Sequence, residues 1–208
     1  MDMDYTAPLP TVAAEYRSER VAGGDKPPVV GSWRLWREPD RVQRDFPSSR
    51  TTEVWRRDGN ALFHVKYFHD AHRGIEFQQA DLSMLGALPT WQQLGLAVSP
   101  ELIADLQPAP VIDEARNSRH YVGTHNGVQW DITIRTDLML PVHVERVKGA
   151  EKEQIMLVGA WPLDKAPWKP AAVDNYDVLD FSDLGDHEHD PFVMAVQGEL
   201  GLAHGHDH

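Results

Sequence analysis

Between Ser32 and Leu85 the chain reads SWRLWREPDRVQRDFP (Ser32–Pro47) and then TTEVWRRDGNALFHVKYFHDAHRGIEFQQADL (Thr51–Leu82). Asp58-Gly59 sits between two runs rich in β-branched and aromatic residues, which is a strong short-range signal for a β-hairpin. In the second run Phe63, Val65 and Tyr67 alternate with His64, Lys66 and Phe68. That period of two belongs to a strand, whose successive side chains point to opposite faces. Upstream, Val29–Arg37 with Trp33 and Leu35 on one face, Arg41–Phe46 and Thr51–Arg57 read as further strands. The turns between them are Glu38-Pro39-Asp40 and Pro47-Ser48-Ser49. His72-Arg73-Gly74 turns the chain into a strand from Ile75 to Leu82.

Working outward, strands resume after residue 118. Arg119–Gly123 leads into Asn126-Gly127, a second hairpin turn. Val128, Trp130, Ile132 and Ile134 then alternate with Gln129, Asp131, Thr133 and Arg135, the pattern of a half-buried strand. Pro141–Lys148 and Glu153–Trp161 follow. Gly86–Pro110 is the one convincing helical region. Ser99 is an N-cap with Pro100 at the first helical position, and Pro108 and Pro110 forbid continuation. Thr11–Val21 reads as a short helix or a first strand, since Val12, Tyr16 and Val21 fit neither period well, and Met194–Leu202 reads as a last helical turn or two. About nine short strands with a helical insert and no α/β alternation predict a mainly β fold. We expect a curved antiparallel sheet or incomplete barrel. The expected organisation is an N-terminal arm at 1–28, a half-barrel domain at 29–184 and an acidic, histidine-rich tail at 185–208.

Composition narrows the function. The 208 residues include 41% hydrophobic residues, enough for a sizeable core. No run of apolar residues has the length of a membrane span. The start carries no leader pattern, which fits a cytoplasmic protein or an exported one written without its leader. With no cysteine, disulfides, thiolate metal sites and catalytic thiols are excluded. The net charge is -12, and after Lys169 the chain carries acids but no base. No basic stripe exists to displace phosphate counterions, so nucleic acid and anionic membrane surfaces are disfavoured partners.

Two groups of residues have candidate chemistry. His187-Glu188-His189 and His204-Gly205-His206-Asp207-His208 combine imidazole and carboxylate without sulfur. That donor set suits Zn, Cu or Ni, so His187, His189, His204, His206 and His208 are candidate metal ligands, set against a reading as a solvated polar end. His64, His69 and His72 are read as surface histidines around a hairpin end, and His120, His125 and His143 as surface or cross-strand residues. Seven tryptophans are many for this length. Trp33, Trp130 and Trp161 share the parity of the apolar face. With Ile132 they either fill a core or line a cavity for an apolar ligand. No phosphate loop, nucleophile elbow or His-Glu-x-x-His motif is present, and no enzymatic activity is expected.

Three stretches resemble the LolA/LolB-like lipoprotein-sorting carrier superfamily: Trp33–Phe46, Thr52–Gly59 (TEVWRRDG) and Tyr176–Leu184 (YDVLDFSDL). The order of elements matches over most of residues 29–184. The resemblance implies an incomplete antiparallel barrel plugged by helices and holding an acyl chain or similar apolar ligand. It also implies a periplasmic or cell-envelope setting, no catalysis, and as partner an apolar small molecule or a lipidated or other envelope protein. The histidine-rich segments depart from that family's pattern. The family's cargo-positioning arginine is matched only by location, at Arg41 and Arg44.

Overall fold

The computed structural model describes residues 8–24, 26–111 and 117–199. Six strands, β1 (Val12–Val21), β2 (Val29–Glu38), β3 (Arg41–Phe46), β4 (Thr51–Asp58), β5 (Ala61–Phe68) and β6 (Arg73–Phe77), form one antiparallel meander. Three short helices follow: α1 (Gln79–Met84), α2 (Trp91–Leu96) and α3 (Pro100–Asp105). A second meander starts at the far end of the sheet. It comprises β7 (Gln107–Ala109), β8 (Ser118–His125), β9 (Val128–Arg135), β10 (Leu140–Lys148) and β11 (Glu151–Trp161), and runs back until β11 pairs with β1. With a last strand, β12 (Asp177–Asp180), beside β6, the order is β12-β6-β5-β4-β3-β2-β1-β11-β10-β9-β8-β7, one curved sheet that does not close into a barrel.

This topology positions the helices. The chain must travel from β6, near one end, to β7 at the other, and it does so across one face of the sheet, here the inner face. The core lies beneath this crossing. Val12, Ala14, Tyr16, Leu35, Val42 and Trp55 pack with Trp91 and Leu94 of α2. Ile132, Ile134 and Val144 pack with Leu102 and Ile103 of α3. Local chemistry agrees with the sequence reading at several points. Asn126 and Gly127 both have positive φ (51° and 74°), as a tight two-residue hairpin turn demands. The Ser99 hydroxyl accepts the Leu102 N–H at the start of α3, with Pro100 in the first turn. Among the described residues no helix is long and apolar enough to cross a membrane.

After β11 the chain crosses the opposite, outer face. Trp168 meets Trp36 edge to face, with centroids 5.7 Å apart. The Gln43 side-chain amide donates to the Ala171 carbonyl (3.0 Å), and the Ala171 N–H donates to Asp45 (2.9 Å). The chain then pairs with β6 in parallel as β12 (Asp177–Asp180). A 3-10 stretch (Phe181–His187) and α4 (Pro191–Glu199) complete the described chain.

Four details differ from the sequence reading. The described residues form twelve strands rather than nine. Val12–Val21, placed in the N-terminal arm, is β1 at the middle of the sheet, between β2 and β11. Its two faces are both covered near its start, where Val12, Ala13 and Ala14 are all buried, so the period-two signal is lost there. The strand expected from Ile75 to Leu82 stops at Phe77, because Gln78 and Asp81 form a capping box that opens α1. Finally, the segment from residue 185 is not wholly a separate tail. Val193 (0% exposed) and Val196 lie in the main core, and Arg73 donates to Asp190 at 2.6 Å.

Candidate ligand-binding trough

The inner face carries a trough between the helices and β2, β1, β11 and β10. Its floor is built from the middle of the sheet outward. Tyr16 on β1 is fully buried, and its hydroxyl donates to the Pro141 carbonyl at 3.1 Å. Trp33 on β2 lies over it with the rings nearly parallel. One step along, Ile155 of β11 pairs with Val144 of β10, and Arg146 of β10 sits opposite Trp130 of β9. The roof is the α2–α3 connection, Ala97, Val98 and Ser99, with Leu102 of α3; Ala97 takes the left-handed conformation that ends α2.

Two adjoining cavities occupy this trough. One, of about 370 Å³, is walled by Trp33, Val98, Leu102, Trp130, Val144 and Ile155, with Arg146 and Glu153 as its charged residues. The other, of about 420 Å³, is walled by Trp33, Phe46, Ile155, the serines Ser18, Ser48 and Ser49, and Arg44. Trp33, Ala97, Glu153 and Ile155 belong to both. The volumes fall in the range of small-molecule sites; the first cavity is mainly apolar with a few polar groups, as such sites usually are, and the second is more polar, with Ser18, Ser32, Ser48, Ser49, Arg44 and Glu153 in its wall.

Two arginines hold the roof. Arg37 is 0% exposed and donates to four carbonyls: Pro10 (2.7 Å), Gly95 (2.6 Å), Met139 (3.0 Å) and Leu138 (2.5 Å). Burial lowers its pKa to about 10, so the guanidinium stays charged at neutral pH. Arg44 donates to the Leu94 carbonyl (2.6 Å), and burial lowers its pKa as well. Leu94 and Gly95 are in the last turn of α2, where carbonyls lack helical partners and cations are favoured. A Cβ at Gly95 would lie 2.0 Å from Leu9 Cδ1, so any larger residue there has to displace the Leu9 side chain. Two buried donors on trough-lining residues have no partner among the described residues, Arg44 Nε and Trp130 Nε1. A buried donor without an acceptor costs about 1–3 kcal/mol.

Of the four expected cavity residues, Trp33 and Trp130 line the trough. Ile132 is fully buried beneath it in the α3 core. Trp161 is elsewhere. The register of β1 and β11 shifts between Glu15 and Tyr16, so Val158 is an extra residue and the faces of β11 exchange beyond it. Trp161 therefore pairs with Ala13, itself opposite Trp36, on the outer face. A one-residue bulge is invisible to a parity count.

The histidines also separate. His187 ends the 3-10 stretch, and the His189 side chain is 96% exposed with Glu188 as its neighbour at 3.7 Å. His204, His206 and His208 lie outside the described residues. Among the described residues no three histidine, aspartate or glutamate side chains converge as a metal shell. His64 is not a surface histidine. It is 7% exposed, stacked on Trp55 at 3.8 Å and on Phe77 at 5.4 Å, and burial lowers its pKa to about 4. His69 bridges Thr52 (3.0 Å) and the Tyr176 hydroxyl (2.7 Å), and His72 packs against the Tyr176 ring at 4.0 Å with the planes inclined by 36°. His120 and His143 flank Asp131 at 3.0 and 3.6 Å. Arg37 was the residue missed by sequence reasoning. Its Trp-Arg-Glu context on a strand gives no sign that its partners would be carbonyls from three distant segments.

No protein-family model matches the chain, and no curated protein matches it in sequence. Solved structures do resemble it. The MucA/MucB complex of Pseudomonas aeruginosa matches with 14% identity and a TM-score of 0.39, over 73% of this chain and 51% of the matched one. A LolA superfamily protein from Nitrosomonas europaea matches with 9% identity and a TM-score of 0.35, over 74% and 86% of the two chains. An uncharacterised conserved protein from Thermus thermophilus matches with 11% identity and a TM-score of 0.41, over 86% and 94%. This chain thus spans about half the length of the MucB-complex chain that it matches.

Proposed function

We propose that this chain is a non-enzymatic binding protein of the cell envelope, periplasmic in setting, whose inner trough takes an apolar ligand such as an acyl chain. One observation supports this above the others. Trp33, Trp130, Val144, Ile155, Val98 and Leu102 surround space that the protein's own side chains leave unfilled, beneath a roof fixed by Arg37 and Arg44. Burying an acyl chain there removes apolar surface from water at about 25 cal/mol per Å² on each side. Entry requires the roof to lift. Each arginine ties α2 by one hydrogen bond, Arg37 to Gly95 and Arg44 to Leu94, and Arg44 is the easier latch to release because Arg37 is also anchored to Pro10, Leu138 and Met139.

The test is native mass spectrometry of the full chain, purified without affinity tag or detergent and then offered lauroyl and palmitoyl species. A stoichiometric mass excess matching one acyl species, reduced in Trp33→Ala, supports the reading. A bare mass before and after the offer removes it and leaves a partner protein as the trough's occupant.

A further inference from the structure

We infer that the trough's ligand is an amphiphile with an anionic oxygen head, held at the open end by Arg20, Arg146 and Lys148. The inference rests on the apolar-trough reading and adds the ligand's polar half. The 370 Å³ cavity shares Arg146 and Glu153 with a small cleft whose other walls are Arg20, Lys148, Glu151 and Lys152. The apolar space therefore opens directly onto this cluster.

Register explains why the cations gather. Arg20 of β1 and Arg146 of β10 both pair with Glu153 of β11, one from each side, and directly paired residues share a face. Lys148 is two residues beyond Arg146 on the same strand, hence on the same face. Glu153 is already ion-paired with Arg146, and Lys152 with Glu145 at 2.8 Å. Arg20 and Lys148 have no ion pair among the described residues; with Glu151 opposite Lys148 in register, this face carries three bases against two acids in a chain of net charge -12. Trp130 Nε1, on the wall opposite Arg146, is a buried donor without an acceptor among the described residues. A cationic head would be repelled at this end and would offer that donor no acceptor. A carboxylate or phosphate supplies acceptor oxygens and negative charge together.

The experiment compares laurate, methyl laurate and dodecyl phosphate by calorimetric titration of the full chain, with wild type and an Arg20→Gln/Lys148→Gln double variant. Both replaced residues are exposed and outside the core. In low salt the two anionic probes should bind roughly tenfold more tightly than the ester, the scale of two solvent-exposed charge contacts. The advantage should shrink in high salt and in the double variant, with ester affinity unchanged in both. Whichever anion binds more tightly identifies the head as carboxylate or phosphate. Equal affinity of ester and anions in wild type, or an advantage that survives in the double variant, overturns this inference while leaving the apolar trough intact. No binding of any of the three overturns the trough reading itself.

Discussion

Tyr16 and Trp33 stack across β1 and β2 with ring centroids 4.3 Å apart and planes inclined by 12°. The pair joins core to site, with Tyr16 sealed beneath and Trp33 forming the trough wall above. The Tyr16 hydroxyl also reaches past β11 to the Pro141 carbonyl at the start of β10. Burial pushes the phenol's pKa up, so the hydroxyl remains a donor at any ordinary pH. The wall of the trough is therefore set by the centre of the sheet rather than by a loop.

Tyr16→Phe keeps the stack and removes the hydrogen bond. It should cost about 1–2 kcal/mol, because the Pro141 carbonyl loses its donor. Tyr16→Ala should cost about 3–5 kcal/mol, the range for emptying a large aromatic site. Urea unfolding of the three proteins checks both, and an equal cost for the two variants would contradict the role given to the stack.

His64 makes stability fall in acid. Its pKa is about 4 when folded and near 6.5 in an unfolded chain. Above pH 6.5 the group is neutral in both states and contributes no pH dependence. Between pH 6.5 and 4 the unfolded chain takes up a proton that the folded one resists, so stability drops by up to about 3 kcal/mol. Below pH 4 the loss from this group is complete. Comparing urea unfolding at pH 7 and pH 4.5 for wild type and His64→Gln should show the variant losing markedly less stability in acid.

The two buried arginines should behave differently. Arg37→Met strips donors from four carbonyls and should cost about 3–5 kcal/mol or prevent folding. Arg44→Met releases only the Leu94 carbonyl and removes an orphan donor, so global stability should change by about 1 kcal/mol. Hydrogen exchange read by mass spectrometry should then show faster exchange in α2 with the sheet unchanged. Equal exchange in α2 would mean that Arg44 is not a latch.

On the outer face, Trp168→Ala removes the edge-to-face contact with Trp36 and the Arg34 guanidinium packed over the indole ring (5.1 Å). We expect a loss of about 1–3 kcal/mol and new proteolytic cleavage between residues 162 and 172, read by limited digestion and mass mapping.

The sheet was legible where one face is wet and the other dry. Val128–Arg135 alternates cleanly, and Asn126-Gly127 forms the expected two-residue turn, whereas the first hairpin turns one residue later than expected, at Gly59 and Asn60, with Asp58 paired to Ala61. β1 was not legible, because burial on both sides near its start erases the alternation. β12 was not, because its pairing is parallel and depends on a crossing of the outer face that no local pattern announces. For the trough, Trp33 and Trp130 follow from strand parity, whereas Trp161 is turned away by the Val158 bulge. Arg37 and the Ala97–Ser99 roof arise from contacts far apart in sequence. A metal role for the tail would depend on His204, His206 and His208, beyond the described residues. Of the two described candidate ligands, His187 and His189, neither belongs to a converged set.

The most direct test places a brominated acyl chain in the trough and reads which tryptophans it quenches, since bromine quenches indole fluorescence only near contact. Single Trp→Phe variants at positions 33, 36, 130, 161 and 168 assign the signal. The account predicts saturable quenching that is reduced in each of Trp33→Phe and Trp130→Phe, with Trp36, Trp161 and Trp168 contributing nothing. Quenching confined to those three outer-face tryptophans, or no saturable quenching at all, would contradict it.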